Sequence, residues 1–211
     1  GLTVADGVVR GEQAVTGEGL TQAIRAALDS GRGLVQHTPV VASPTLSERA
    51  NADVVLKAEN LQRTGAFKIR GAMHTLATLG HAARRGVTAG SAGNHAQALA
   101  MAALFHGVPC ELFVPSGASI SKVEACRTLG AVVHEGGASV SDAVATARAH
   151  ADASGLAFCH PFDDPVVVAG QGTLGLELVD DVPDLACVIV PLGGGGLAAG
   201  VAIAVKSMRP A

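Results

Sequence analysis

Two patterns of apolar and polar positions alternate along the chain from residue 53 to residue 208. Short β-branched or apolar runs end in small turn residues, and each is followed by a longer stretch with helical spacing. The runs at 53–57, 86–89, 110–114, 131–134, 156–159 and 186–190 predict strands. The stretches at 67–79, 94–106, 119–129, 139–153, 165–178 and 197–208 predict helices. Ser119 fits an N-cap, and Gly130 fits the position just past a helix end. Most of the strand runs lack polar alternation, which implies burial on both faces in a parallel sheet covered by helices. The fold class is therefore α/β, a doubly wound and mostly parallel sheet. Before residue 53 the pattern changes. Residues 19–30 form one amphipathic helix with Leu20, Ile24, Ala27 and Leu28 on one face, and Pro39 makes the segment around Thr38 extended. The chain stops after a helix that follows a strand and a glycine turn, where such a sheet normally continues. That pattern reads as truncation at the C-terminus.

Composition narrows the function classes. The 211 residues carry 15 Lys+Arg against 18 Asp+Glu, a net charge of −3 with no basic run, which argues against nucleic acid or an anionic membrane as partner. No apolar run approaches the roughly 20 residues that cross a bilayer. Residues 1–11 lack a charged start before an apolar block, so no leader is expected and a cytoplasmic location is. Cys110, Cys126, Cys159 and Cys187 are far apart and lie in or beside apolar runs, which predicts buried free thiols in a reducing compartment. The eight histidines show no metal-ligand spacing, and no metal is expected.

Three predicted strand ends carry candidate chemistry. In the first, Lys68 stands between Phe67 and Ile69 at the start of a helix. The positive helix end and the apolar neighbours both favour a neutral amine, the form that attacks a carbonyl; a solvated surface lysine is the other reading. In the second, Ser91-Ala92-Gly93-Asn94-His95-Ala96-Gln97 places polar side chains and N–H groups at a helix start. It can hold a carboxylate, or it can be a helix capped by Ser91 or Asn94. In the third, Gly193, Gly194, Gly195 and Gly196 precede Leu197 between a strand and a helix, so that successive N–H groups converge on a phosphate. No Gly-Lys-Ser/Thr follows, so this is not a nucleotide P-loop. Gly193, Gly195 and Ala198 fit a loose dinucleotide pattern, and a purely structural turn is also open. An amine for an aldehyde, donors for a phosphate and a cradle for a carboxylate together point to pyridoxal 5'-phosphate with an amino-acid substrate.

At these residues the chain resembles the fold-type II pyridoxal-phosphate enzymes (the tryptophan synthase β-subunit-like fold). It is most similar to the serine/threonine dehydratases, or threonine ammonia-lyases, and their relatives the serine racemases. The matching segments are 57–72, 91–97, Pro161-Phe162-Asp163-Asp164-Pro165, Gly170-Gln171-Gly172-Thr173 and 193–197, in family order. The resemblance implies that Lys68 carries the cofactor and moves the substrate's α-proton. It further implies that Phe67 lies against the cofactor ring and Asn94 bonds its phenolic oxygen. Gly193, Gly194, Gly195, Gly196 and the N–H of Leu197 would hold the phosphate. Ser91, Asn94, His95 and Gln97 would surround the substrate carboxylate. It implies two domains: a small one at 53–158 and a large one made of 1–52 and 159–211, with the remainder of the large domain absent from the chain. A homodimer or homotetramer is implied by the same analogy. Two departures stand out: Ala66 replaces the family's usual serine, and the part that faces the pyridine nitrogen and supplies cation ligands lies past residue 211.

The implied activity is β-elimination from a 3-hydroxy amino acid, taking L-threonine to 2-oxobutanoate or L-serine to pyruvate, with ammonia. The alternatives are an amino-acid racemase and a truncated, non-catalytic chain that binds the cofactor.

Overall fold

The computed structural model describes residues 17–210; the expectations for residues 1–11 lie outside the described residues. The chain runs through α1 (Gly17–Ser30), β1 (Val40–Ala42), α2 (Pro44–Ala50) and β2 (Val55–Lys57), then a 3₁₀ turn at Glu59–Leu61. It continues through α3 (Lys68–Leu79), a second 3₁₀ turn at Gly80–Arg85, β3 (Val87–Gly90), α4 (Asn94–His106) and β4 (Cys110–Val114). Next come α5 (Ile120–Thr128), β5 (Val132–Glu135), α6 (Val140–Ser154), β6 (Ala157–Phe158), α7 (Pro165–Asp181) and α8 (Gly196–Met208).

Four parallel strands make one sheet in the order β5-β4-β3-β6. The chain steps outward from β3 to β4 to β5 and then returns across to β6. Because such crossovers are right-handed, α4 and α5 cover one face and α6 the other. The packing agrees: α4 lies on α3 and α5, while α6 lies on β3, β4 and β6. Ala143, Ala147 and Ala151 form the buried stripe of α6, four residues apart. They let α6 approach so closely that a Cβ at Gly90 would overlap the backbone of Ala143 and Val144. The core on the α4 face joins Ile69, Met73 and Leu76 of α3 with Leu99 of α4 and Val87, Ala89 and Leu112 of the sheet. The strand order reverses at β3, so the crevice outside the carboxyl ends of β3 and β6 is where a ligand is expected in such a fold.

The doubly wound α/β reading holds, and most helix limits fall within two residues of those predicted. Ser139 caps α6 in a reciprocal box with Asp142, and Gly130 takes φ +85° just past α5. Ser119 stands at the N-cap of α5, but its hydroxyl bonds Ser121 Oγ at 2.9 Å and not a backbone N–H.

Several expectations are corrected. The strand expected at 186–190 is unpaired, because no described strand lies beside it. Val188 and Val190 still pack towards Leu174, Leu178 and Val201, while Ile189 points outward at 93% exposure. Cys187, in the same segment, is exposed; the other three cysteines are buried free thiols. The strand near 53–57 does not extend the parallel sheet. It pairs antiparallel with β1, Val41 opposite Leu56, in a separate two-stranded sheet. Burial on both faces describes β3 alone: β4 alternates, and β5, at the sheet edge, is mostly exposed. β1 and α2 were missed because three residues show no period and α2 buries none of its own.

Candidate active site

Lys68 is the first residue of α3 and Phe67 stands at its N-cap, with no side chain capping the helix. The Lys68 ammonium nitrogen lies 5.4 Å from the Phe67 ring centre and donates to the Pro161 carbonyl at 2.6 Å. Half-buried and without a carboxylate partner among its hydrogen bonds, the amine is held below the usual lysine range by desolvation. Lys57, in the same sequence motif, is the contrast. Its Nζ is buried in ion pairs with Glu177 at 2.7 Å and Asp181 at 2.8 Å. The reading of Lys68 as a solvated surface lysine is thereby set aside.

The glycine run sits opposite. Gly195 takes φ +89° as the N-cap of α8, which has no side-chain cap either. A Cβ at Gly194 would overlap the Phe162 ring, and one at Gly196 would come within 2.7 Å of the Phe162 carbonyl oxygen. The loop is therefore pressed onto residue 162. Phe67, Lys68, Pro161, Phe162, Val167, Gln171, Pro191, Gly193, Gly194, Gly195, Gly196 and Leu197 line one cavity of about 240 Å3. Of the cofactor set expected from the sequence, only Asn94 is absent from this wall.

The segment after β3 forms a neighbouring cluster. α4 begins with Gly93 as N-cap and no side-chain cap, so neither Ser91 nor Asn94 caps it; Ser91 Oγ accepts from Gly93 N at 3.2 Å. Asn94 is exposed, Gln97 half-buried and Ser91 buried. His95 is buried, with Nε2 3.2 Å from the Cys159 carbonyl, which ties the α4 start to the end of β6. Burial pushes its pKa down to about 4, and the charges of Lys68 and His160 act in the same direction. At neutral pH His95 is an uncharged hydrogen-bonding group. Between pH 6.5 and about 4 the unfolded chain binds a proton at this histidine that the folded chain does not. Stability should therefore fall as pH drops through that window, by roughly 3 kcal/mol from His95 alone. His74, His106 and His160 shift in the same direction. Urea titrations at several pH values check this, and His95→Gln should flatten the slope.

Gln171 was missed as a site residue, although its motif was noted. It is buried on α7, its Nε2 would lie 2.6 Å from a Cβ at Gly71, and its Oε1 has no hydrogen-bond partner. The fit to a phosphorylated aldehyde comes from the other residues of the cavity that Gln171 lines, an amine at Lys68 and the uncapped N–H groups at the start of α8. The glutamine-glycine context of Gln171 gave no periodic signal that could separate it from core packing.

No group of three or more metal-ligating side chains is present among the described residues, and no described helix is long and apolar enough to cross a membrane. Residues 32–211 match the family described as pyridoxal-phosphate dependent enzyme. An L-threonine ammonia-lyase of Thermotoga maritima is 47% identical over 180 residues, which are 85% of this chain and 45% of that protein. The catabolic L-threonine dehydratase of Escherichia coli is 45% identical over 179 residues, 84% of this chain and 54% of the relative. Among solved structures, maize serine racemase aligns with a TM-score of 0.86 at 35% identity, covering 90% of this chain and 58% of that one. A processed threonine deaminase from Solanum lycopersicum also gives 0.86, at 32% identity, covering 99% and 58%. The chain spans about half the length of the curated relatives it matches.

Proposed function

The chain belongs to the pyridoxal-phosphate dependent enzymes, and we propose that it carries the cofactor lysine and phosphate cradle of a lyase that deaminates a 3-hydroxy amino acid. One observation carries the reading: Lys68, an amine kept free of carboxylates, shares a cavity with Gly193, Gly194, Gly195 and Gly196. The bound cofactor supplies an electron sink for the carbon that loses its proton.

The chain's own residues then have defined tasks. Lys68 Nζ would hold the cofactor and afterwards take the α-proton; desolvation lowers the pKa of its amine, which favours both tasks. Backbone N–H groups of Gly193–Gly196 and Leu197 would hold the phosphate, and Phe67 would lie against the ring. The uncapped start of α4, with Ser91, Asn94, His95 and Gln97 around it, receives the substrate carboxylate. Loss of the α-proton and the β-hydroxyl, followed by hydrolysis, gives the 2-oxo acid and ammonia.

Two lobes fit this reading. One apolar cluster gathers residues 34–159; a second joins α1 with α7 and α8, as expected if the N-terminal helix belongs to the large domain, and a third packs α7 and α8 against Leu185, Val188, Val190 and Phe67. The β1–β2 pairing crosses the boundary at residue 52. A homo-oligomer in a reducing cytoplasm completes the proposal, with three buried unpaired thiols in its favour.

Elimination should dominate over racemisation. Racemisation needs a second acid/base on the opposite face of the substrate, and the resemblance puts that group at Ala92, which has no proton to exchange. Incubation with L-serine and L-threonine, measuring 2-oxo acid and D-enantiomer together, should yield mainly 2-oxo acid. Ala92→Ser should raise the D-serine trace. D-Serine formed faster than pyruvate by the unaltered chain would overturn the lyase reading.

A further inference from the structure

The turn of α3 that carries Lys68 lacks the device that usually holds a helix start. Phe67 at the N-cap offers no acceptor, and no side chain caps the first N–H groups. Two residues past Lys68, Arg70 supplies anchorage of another kind. Its side chain is 1% exposed, yet its guanidinium is almost fully bonded. Nε donates to Glu59 Oε2 at 2.8 Å and Nη2 to Glu59 Oε1 at 2.7 Å, a bidentate pair with the 3₁₀ turn. On its other edge, Nη1 donates to Glu177 Oε1 at 2.6 Å and Nη2 to Glu177 Oε2 at 2.9 Å, a second bidentate pair, now with α7. Thr173 Oγ1 accepts from Nη1 at 3.1 Å. Burial raises the cost of both charges, but the guanidinium outweighs it at Glu59 and holds that carboxyl below its usual range.

The same crossing is fixed on its backbone side. A Cβ at Gly170 would stand 2.6 Å from the Gly71 Cα and 2.7 Å from the Arg70 carbonyl oxygen, so α3 and α7 touch main chain to main chain beside the guanidinium. α7 also carries Val167 and Gln171, which line the Lys68 cavity.

We propose that Arg70 is a positioning residue for Lys68: by clamping the uncapped start of α3 to α7 and to the 59–61 turn, it aims the Lys68 amine into the cavity. The inference rests on the pyridoxal-phosphate reading of Lys68. It assigns a role to a charged group that does not itself line the Lys68 cavity.

Lys57 provides the control. It bonds the same Glu177 and extends the network to Asp181, but it lies on β2, outside the Lys68 helix. The experiment is titration of the purified chain with pyridoxal phosphate, followed by borohydride reduction and peptide mapping, for the unaltered chain, Arg70→Lys, Glu59→Gln and Lys57→Met. Circular dichroism and thermal melts run on the same samples. The expected result is that Arg70→Lys, which keeps the charge but not the fork, needs at least about tenfold more cofactor for half-labelling of Lys68. Glu59→Gln moves in the same direction, and serves if Arg70→Lys does not fold. Lys57→Met should melt earlier while labelling Lys68 as the unaltered chain does. Wild-type labelling in folded Arg70→Lys or Glu59→Gln overturns the positioning role. So does equal loss in Lys57→Met, which would make the network merely structural. If the unaltered chain itself is not labelled at Lys68, it is the cofactor reading that fails.

Discussion

Lys68→Ala should yield a folded chain with no turnover and no borohydride-fixed pyridoxyl group. The change removes the amine that holds the cofactor and accepts the α-proton, while sparing the contacts that build the fold. Lys68 is half-buried and, among the described residues, has one hydrogen bond, to the Pro161 carbonyl, so its loss strands no described carboxylate. The neighbouring helix keeps Ile69, Met73 and Leu76 in the core and Arg70 in its double carboxylate clamp. Turnover should fall by more than about 10³-fold, since both covalent attachment and proton transfer are lost. Far-ultraviolet circular dichroism should match the unaltered chain. A pyridoxyl group mapped instead to Lys57, Lys122 or Lys206 would sink the assignment. Lys57 is the one most firmly excluded on physical grounds, because two carboxylates hold its ammonium.

The site was legible in sequence where a residue's chemistry and its place on an element coincide. Lys68 between apolar neighbours at a helix start, and four glycines between an apolar run and a helix, are local patterns, and the fold brings them to one cavity. What stayed hidden depends on partners distant in sequence. Nothing around Gln171 announces a buried acceptor without a donor, since its neighbours across the cavity come from residues 67, 162 and 193–197. Arg70 is similar: its carboxylates are 11 and 107 positions away, so spacing along α3 could not reveal the clamp. The fold shows the same division. Helices α4 and α6 have lengths and ends set by local signals, and they were found nearly to the residue. The run at 186–190 has the apolar content of a strand but no described strand beside it to pair with. Strand identity is a property of a pair, and one member of the pair carries only half of it.

The glycine cradle gives the second large expected effect. Gly194→Val should weaken cofactor binding by about 100-fold or more, close to 3 kcal/mol, with little change in helix content. The reason is close approach. A Cβ at Gly194 overlaps the Phe162 ring, and the Phe162 carbonyl already crowds Gly196, so the loop cannot retreat without carrying the start of α8 with it. The N–H groups that would hold the phosphate would then lose their convergence, and no charged side chain of the loop could compensate. Gly195 is a separate case, because its φ of +89° penalises any side chain whatever the space. The steric origin can be isolated by removing the obstacle. Phe162→Ala combined with Gly194→Ala should bind cofactor more tightly than Gly194→Ala alone, because the methyl then enters the space the ring has left. Fluorescence titration with pyridoxal phosphate reads all four chains. An unchanged affinity in Gly194→Val would make the run a structural turn and leave Lys68 without its phosphate anchor.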